Sequence, residues 1–293
     1  MSENGNQKPV DVRAVAGSQS TRPGRNLLVD RDSVNGVCTI TLARPQRLNA
    51  LSASLLGSLA DAIENVSADS SVRAVVLAAS GEAFCSGADT DEMAGGAGTG
   101  PHKAGEGGPE ALRQGFHDAQ RVILGLHHLE KPVIAAVNGA AVGAGFDLAC
   151  ACDIRLAGPK ARFMAAYVRV GLFPGYGGTW FYPRLLGMAK AAELMFTGDF
   201  LEAEEAERIG FVNRVVPQDS LLDEARALAA RIAAGPPIAI RLAKTMMNRG
   251  LQMDLDTAMQ MAAAAESITL SSRDHLEGMA AMRERRKPEF KGI

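Results

Sequence analysis

Two glycine-bearing stretches decide the fold of this chain: Phe84-Cys85-Ser86-Gly87-Ala88-Asp89 and Asn138-Gly139-Ala140-Ala141-Val142-Gly143-Ala144-Gly145-Phe146-Asp147. Each follows an apolar run that predicts a buried strand, residues 72–79 and 133–137, and each precedes a predicted helix start. A glycine turn at a helix N-terminus leaves backbone N–H groups unpaired. Two such turns brought together would direct two donors at one oxygen that becomes negative during a reaction. The other interpretation is that the glycines only allow close packing.

The composition is that of an ordinary globular protein, with 293 residues, 47% hydrophobic and 22% charged, and a formal net charge of −2. This balance gives no reason to expect nucleic acid or a membrane as partner. The four cysteines form no CxxC pair and the five histidines show no metal-ligand spacing. We therefore expect reduced thiols, no metal and a cytoplasmic location.

The order of the predicted elements divides the chain into three parts. Residues 1–26 are polar and predict a disordered leader. Between residues 27 and 217, strands and helices alternate, which predicts an α/β core with a largely parallel sheet. Residues 218–293 are helical only, and we expect them to pack on the core or on another subunit. Residues 93–115 are dense in glycine and predict a mobile loop near the first turn.

Local patterns in the core predict individual elements. Asn35-Gly36 is a strong hairpin signal between the first two strands. The apolar periodicity predicts a helix over residues 48–66, with Ser52 as its N-cap candidate. A strand is expected over residues 210–216, because this short run ends at Pro217.

An ordered set of motifs runs from about Leu27 to the C-terminus, and it resembles the enoyl-CoA hydratase/isomerase (crotonase) superfamily. Besides the two glycine turns, the motifs are Arg44-Pro45, Leu48-Asn49-Ala50-Leu51, Pro132-Val133-Ile134-Ala135-Ala136-Val137, Cys152-Asp153-Ile154-Arg155, Gly171 to Thr179, Thr197-Gly198-Asp199, Gly210-Phe211-Val212-Asn213 and Val216-Pro217. The resemblance implies a crotonase-like spiral of ββα units with a helical C-terminal region used for trimerisation. It also implies acyl-CoA or enoyl-CoA substrates, no cofactor beyond the CoA moiety, and a homotrimer or dimer of trimers.

The resemblance implies catalytic roles for residues at four positions. The two oxyanion donors of the family fall on the backbone N–H groups of Ala88 and Ala144, in agreement with the glycine turns. Asp147 matches the first catalytic glutamate of the hydratases, which implies an acid/base role. The other interpretation is an ordinary acidic residue stabilised by a helix N-terminus. Tyr167 matches the second glutamate, twenty residues further on, and is the main departure from the family pattern.

The substitution of a phenol for that carboxylate bears on the type of reaction. A phenol with an ordinary pKa near 10 is a poor base at neutral pH, although it donates hydrogen bonds and orients water. Equally, Tyr167 would simply fill an apolar acyl pocket. The acid position of some isomerases, just after Pro174, is Gly175. Asp147 would thus act nearly alone, which favours double-bond migration over hydration.

The same resemblance implies a binding surface for the CoA moiety. It is formed by Arg47, Leu48, Ala50, Ser86, Asp89, Thr90 and Gly143, together with Arg285 and Lys287 of the basic tail. Asp91 stands where relatives often carry a lysine that meets phosphate. The tail would equally be a solvated helix end whose cations suit the helix dipole.

Other functions remain open at this point. Within the family they are decarboxylation and thioester hydrolysis, for which an enolate-binding site and a phenol suffice. A CoA-binding member without catalysis is suggested by the missing second carboxylate. A nicotinamide-dependent oxidoreductase rests only on the partial glycine motif Gly143-x-Gly145.

Overall fold

The structure is a computed structural model that describes residues 26–95, residue 113 and residues 116–293, with the side chains of residues 93–95 left out. The predicted leader, apart from residue 26, and most of the predicted glycine-rich loop lie outside these residues. The strands described are β1 Leu27–Asp32, β2 Val37–Leu42, β3 Ala74–Ala79, β4 Val133–Val137, β5 Ala140–Val142, β6 Ile154–Ala157, β7 Arg162–Met164, β8 Phe200–Glu202 and β9 Arg214–Val215.

The helices follow the predicted alternation through the core and continue to the C-terminus. They are α1 Ala53–Ala68, α2 Thr90–Gly95, α3 His117–His128, α4 Ala144–Cys150, α5 Gly178–Leu186, α6 Met188–Thr197, α7 Ala203–Arg208, α8 Leu221–Ala233, α9 Pro237–Gly250, α10 Leu255–Leu270 and α11 Arg273–Glu284. Short 3-10 helices span Pro45–Arg47, Ala166–Val170 and Gln218–Ser220. Among the described residues, no helix has the length and apolar character needed to cross a membrane.

Two sheets form the core. The larger has the strand order β1-β2-β3-β4-β6-β9, with β1 and β2 antiparallel and the remaining pairs parallel. The turn at Asn35-Gly36 joins β1 to β2, so the predicted hairpin is confirmed. The smaller sheet has the order β5-β7-β8. The predicted α/β core with a largely parallel sheet is therefore confirmed, whereas β5, inside the second glycine turn, is an additional strand.

Both faces of the larger sheet are buried, because successive strand residues point to opposite sides. Leu77 and Ala135 face the main cluster, which also contains residues of α1 and α3. Val76 and Ile134 face the other side, where they join Ala225 of α8 in a second cluster. The first helix of the predicted C-terminal region thus completes the core of the sheet.

The helix predicted over residues 48–66 begins later than expected, so that part of the prediction is wrong. Leu48 and Asn49 adopt left-handed backbone angles, with φ of 49° and 55°, and these angles cannot belong to a right-handed helix. The helix begins at Ala53, and the Ser52 hydroxyl caps it by accepting from the Leu55 N–H at 3.2 Å. The strand predicted over residues 210–216 is likewise reduced to the two residues of β9.

Asn49 explains why the chain turns away from helix at this point. Its Oδ1 accepts from the Arg44 N–H at 2.9 Å, and its Nδ2 donates to the carbonyls of Ser80 and Ala83, both at 2.9 Å. The residue is fully buried. One amide therefore joins residues 44–51 to the segment that precedes the first glycine turn.

The C-terminal helices are anchored through a buried lysine. Lys244 of α9 forms an ion pair with Asp153 at 2.7 Å and donates to the Lys131 carbonyl at 3.1 Å. A buried charge is tolerated only when it is paired and hydrogen-bonded, and this one is. In contrast, α10 has no buried residue, and Leu255, Met259 and Ile268 are exposed.

We predict that Asn49→Ala lowers the free energy of unfolding by about 3 kcal/mol, because it leaves buried backbone groups without partners and places alanine at positive φ. Urea denaturation measures the loss. Asn65→Ala, at an exposed position of α1, is the matched control and should change stability by less than about 0.5 kcal/mol. Equal stabilities for the two variants would contradict the role given to Asn49.

Candidate active site

The two glycine turns pair with each other like parallel strands. The N–H groups of Phe84 and Cys85 both donate to the Ala140 carbonyl at 3.1 Å, and the Val142 N–H donates to the Cys85 carbonyl at 2.9 Å. The approach is so close that a Cβ on Gly87, where φ is +100°, would lie 2.8 Å from the Val142 oxygen. The turns therefore run side by side, and glycine is required at the contact.

Two backbone donors emerge where this pairing ends. Ala144 is the first residue of α4, and its nitrogen lies 3.7 Å from the position that a Cβ on Gly87 would take. Within the described part of the chain, neither the Ala144 N–H nor the Ala88 N–H donates a hydrogen bond. The turns thus bring two unpaired N–H groups to one place, an arrangement that can bind a single oxygen.

The segment on both sides of Asn49 hydrogen-bonds to the first turn. Ser86 N–H donates to the Leu48 carbonyl at 3.0 Å, and Leu51 N–H donates to the Gly87 carbonyl at 2.8 Å. Ala50 is buried, whereas the Leu48 side chain is half exposed. The structure therefore places these predicted CoA-binding positions next to the first turn.

Asp147 lies one turn into α4, beyond the unpaired Ala144 N–H. The carboxyl has no exposed surface, and its Oδ2 accepts a hydrogen bond of 2.5 Å from the Tyr167 hydroxyl. Tyr167 belongs to the 3-10 helix that follows β7, and its ring lies 3.8 Å from the position of a Cβ on Gly143. The structure thus brings together four of the predicted site residues: Ala144, Gly143, Asp147 and Tyr167.

Burial controls the protonation of this pair. Loss of hydration disfavours the charged carboxyl and raises the pKa of Asp147 from 3.8 to about 7, although the Tyr167 hydroxyl opposes the rise. Burial and the neighbouring carboxyl raise the pKa of Tyr167 well above 10. At neutral pH the phenol is therefore a hydrogen-bond donor, while Asp147 is populated in both its acidic and its basic form.

A second carboxyl is absent from both positions where the family pattern offers one. Tyr167 occupies the first. At the second, a Cβ on Gly175 would lie 2.9 Å from the Phe116 ring, which leaves no room for an acidic side chain without rearrangement. Of the two carboxyls that adjoin the turns, Asp89 is held by Arg44 and Arg47, whereas Asp147 accepts from the neutral Tyr167 hydroxyl.

The charged residues predicted to bind CoA are paired with each other. Asp89 is 2% exposed and accepts from Arg44 at 3.0 Å and from Arg47 at 3.3 Å. Arg47 also pairs with Asp91, so the acidic residue at the usual lysine position is neutralised. Asp89 thus fixes the loop that leads into α2, and both of its carboxylate oxygens are engaged in ion pairs with arginines. Thr90, the first residue of α2, is exposed.

Within the described part of the chain, Arg285 and Lys287 of the basic tail form no hydrogen bond or ion pair with Arg47, Asp89 or Asp91. Arg285 ends α11 with a φ of 55°, and both it and Lys287 are exposed. Their neighbour Arg286 is instead held by Glu277 and Glu284. The predicted contact of Arg285 and Lys287 with CoA phosphates stays a prediction.

Sequence reasoning missed two residues that border Asp147 from α5. A Cβ on Gly178 would lie 2.8 Å from Asp147 Oδ1 and 3.0 Å from the Tyr182 ring. Tyr182 is fully buried. The available signal was that all three tyrosines of the chain, at positions 167, 176 and 182, fall within sixteen residues.

The comparisons with known proteins agree with this geometry. The family model for enoyl-CoA hydratase/isomerase matches residues 32–293. The short-chain-enoyl-CoA hydratase of Clostridium acetobutylicum is 39% identical over 90% of this chain and 97% of its own length. The 1,2-epoxyphenylacetyl-CoA isomerase of Escherichia coli is 36% identical over 88% of this chain and 95% of its own. The enoyl-CoA hydratase structure from Bacillus anthracis superposes with a TM-score of 0.84 at 36% identity, over 92% and 100% of the two chains.

These matches extend over the core and the C-terminal helices alike, and they confirm the resemblance of the motifs and the crotonase fold. The match to the family model covers most of the chain, including both glycine turns and Asp147. The chain belongs to the enoyl-CoA hydratase/isomerase family and is an acyl-CoA-processing enzyme of that type.

Proposed function

We propose that this enzyme moves a proton at the carbon next to the thioester carbonyl of an enoyl-CoA, with migration of the double bond as the net reaction. The observation that carries the proposal is the buried carboxyl of Asp147, which has no cationic partner among the described residues and lies three residues after the unpaired Ala144 N–H. The Ala88 and Ala144 N–H groups would bind the thioester oxygen as an oxyanion hole. Each donor of this kind contributes about 3 kcal/mol of transition-state stabilisation.

One carboxyl suffices for this reaction. In a β,γ-unsaturated enoyl-CoA, ionised Asp147 would remove a proton from the sp3 α-carbon, and the electron pair of the C–H bond delocalises through the double bond and onto the thioester oxygen as a dienolate. Protonated Asp147 then returns the proton to the γ-carbon, so the double bond has moved and the carboxyl is regenerated. A pKa of about 7 suits both steps at neutral pH, because both forms are populated.

Tyr167 controls access to the carboxyl. Asp147 has no exposed surface, whereas Tyr167 is partly exposed, so an entering acyl group meets the phenol first. We infer that the acyl chain displaces the ring and that this movement releases Oδ2 for proton transfer. The phenol also excludes water from the carboxyl until the substrate has entered.

Hydration is the second candidate, and it is favoured by the name of the Clostridium acetobutylicum relative. It requires one group to activate water and another to deliver a proton. With its pKa raised far above neutrality, Tyr167 stays protonated and orients water without deprotonating it. Hydration would therefore depend on Asp147 for both tasks.

The CoA moiety would lie along the segment that supports the first turn. Leu48, Ala50 and Ser86 would border it, with Thr90 and Gly143 nearby and Asp89 contributing through its backbone, since its carboxylate is occupied. Arg47, whose side chain is 41% exposed, would contact phosphate by exchanging its ion pairs with Asp89 and Asp91. Arg285 and Lys287 would reach phosphates from the end of α11.

We also propose that the chain assembles as a homotrimer or a dimer of trimers. The support is α10, which has no buried residue and exposes Leu255, Met259 and Ile268. Apolar side chains on one helix that are exposed in the single chain are typical of a subunit interface. Analytical ultracentrifugation tests this assembly, and a monomer at micromolar concentration would contradict it.

The test of the proposed reaction is solvent deuterium exchange, detected by mass spectrometry, in a panel of acyl-CoAs and enoyl-CoAs. Wild-type enzyme should incorporate deuterium and move the double bond. Asp147→Asn should lower both rates at least about 100-fold, because the acid/base is gone. The same spectra report hydrated product, which would select the second candidate.

The matched control is Asp274→Asn, which changes a buried aspartate of α11 that caps the N–H groups of Lys291 and Gly292. It should exchange at the wild-type rate. Calorimetric titration with the same ligands separates lost chemistry from lost binding. Undiminished exchange by Asp147→Asn would refute the role of Asp147, and no exchange by wild type would refute the enolate reaction.

A further inference from the structure

Tyr182 is placed against Asp147 by helix geometry. It lies four residues after Gly178 in α5, so the two share one face of the helix. Its ring stacks on Phe146, with centroids 4.4 Å apart and an interplanar angle of 21°. Phe146 directly precedes Asp147 in α4, and the Tyr182 ring approaches the carboxyl at Gly178, where a Cβ would lie 2.8 Å from Asp147 Oδ1 and 3.0 Å from the ring.

Two buried polar atoms approach each other at this contact without a well-formed hydrogen bond. Asp147 Oδ1 and the Tyr182 hydroxyl are both enclosed, and neither makes a hydrogen bond of good geometry with the residues described, although Tyr182 is close enough to act on the carboxyl. An unpaired buried group is costly, which makes isolated instances rare in folded proteins. A Cβ on Gly178 would lie within 3.0 Å of both Asp147 Oδ1 and the Tyr182 ring, so these groups border the same small space.

We propose that Tyr182 is a positioning residue for Asp147, and that its hydroxyl pairs with the carboxyl oxygen that Tyr167 leaves free. The inference rests on the proposed function of Asp147 and extends it to a residue outside the family motifs quoted above. Each carboxyl oxygen then has its own phenol, with Tyr167 on Oδ2 and Tyr182 on Oδ1. The pairing fixes the carboxyl plane and favours its ionised form.

Neutral hydrogen-bond donors surround the Asp147 carboxyl and stabilise its ionised form. The titratable groups that face it are Tyr167 from the 3-10 helix, Tyr182 from α5, Tyr176 from the preceding loop and Cys150 from α4 itself. The Gly178 N–H adds a backbone dipole, and the pKa of Asp147 is lowered by this group and by both phenols that reach it. No lysine or arginine of the described residues pairs with the carboxyl.

The first test is an infrared pH titration of the protonated carboxyl band of Asp147, assigned by its loss in Asp147→Asn. Tyr182→Phe keeps the stacked ring and removes only the hydroxyl. It should raise the titration midpoint by about one to two pH units, because a hydrogen bond that favours the ionised carboxyl is lost. The pH profile of deuterium exchange should move in the same direction, with the limiting rate at high pH retained.

Tyr176→Phe is the matched control, since Tyr176 is also buried but is not among the groups that hydrogen-bond to Asp147. It should leave the midpoint in place. Gly178→Ala is a second variant, because its methyl group would separate Tyr182 from Oδ1 and should raise the midpoint as well. Thermal denaturation verifies that each variant is folded.

The outcomes separate this inference from the proposed function. A midpoint in Tyr182→Phe equal to that of wild type would refute the positioning role and assign Tyr182 to core packing. If wild type shows no exchange, the proposed function fails, yet the infrared titration still decides whether Tyr182 holds the carboxyl. A raised midpoint in both Tyr182→Phe and Gly178→Ala supports the inference.

Discussion

The pairing of the two glycine turns is the interaction on which the rest of the site depends. The Ala140 carbonyl accepts from two successive N–H groups, and Val142 returns a bond to Cys85. Beyond this ladder each segment turns towards a helix, and among the described residues the Ala88 and Ala144 N–H groups are left without acceptors. The same pairing fixes the start of α4 and thereby the position of Asp147. Site geometry thus follows from backbone hydrogen bonds more than from side chains.

The electrostatics of the site depend on neutral donors. A buried carboxyl has a raised pKa because the charged form loses its hydration. A lysine or arginine partner would favour ionisation so strongly that the acid form would be scarce at neutral pH. Asp147 instead meets phenols, which oppose the effect of burial only in part, and its pKa stays at about 7. Burial and phenolic donors together place the pKa of this aspartate where its charged and neutral forms are both populated at neutral pH.

Much of the fold could be predicted from the sequence, because it depends on local patterns. The hairpin at Asn35-Gly36 and the strand β4 were predicted where they occur. The start of α1 was predicted wrongly, since apolar periodicity continues through Leu48 while the tertiary contacts of Asn49 impose a left-handed turn. No short-range pattern reports such contacts.

The residues of the candidate site were likewise predicted only in part. Ala88, Ala144, Asp147 and Tyr167 were proposed from glycine turns and family motifs, and the structure gives these residues adjacent places. Tyr182 was not found, because its relation to Asp147 arises from the packing of α5 on α4. The pairing of Asp89 with Arg44 and Arg47 was also unforeseen, as it joins segments more than forty residues apart.

We propose that the unpaired N–H groups of Ala88 and Ala144 polarise a thioester carbonyl. The most direct test is the infrared carbonyl stretch of a saturated acyl-CoA, carbon-13 labelled at the thioester carbon, measured free and bound to the Asp147→Asn variant. Two hydrogen bonds to the oxygen weaken the C=O bond, so the account predicts a clear shift of the bound band to lower frequency. A bound band at the frequency of the free thioester in water, or above it, would contradict the claim.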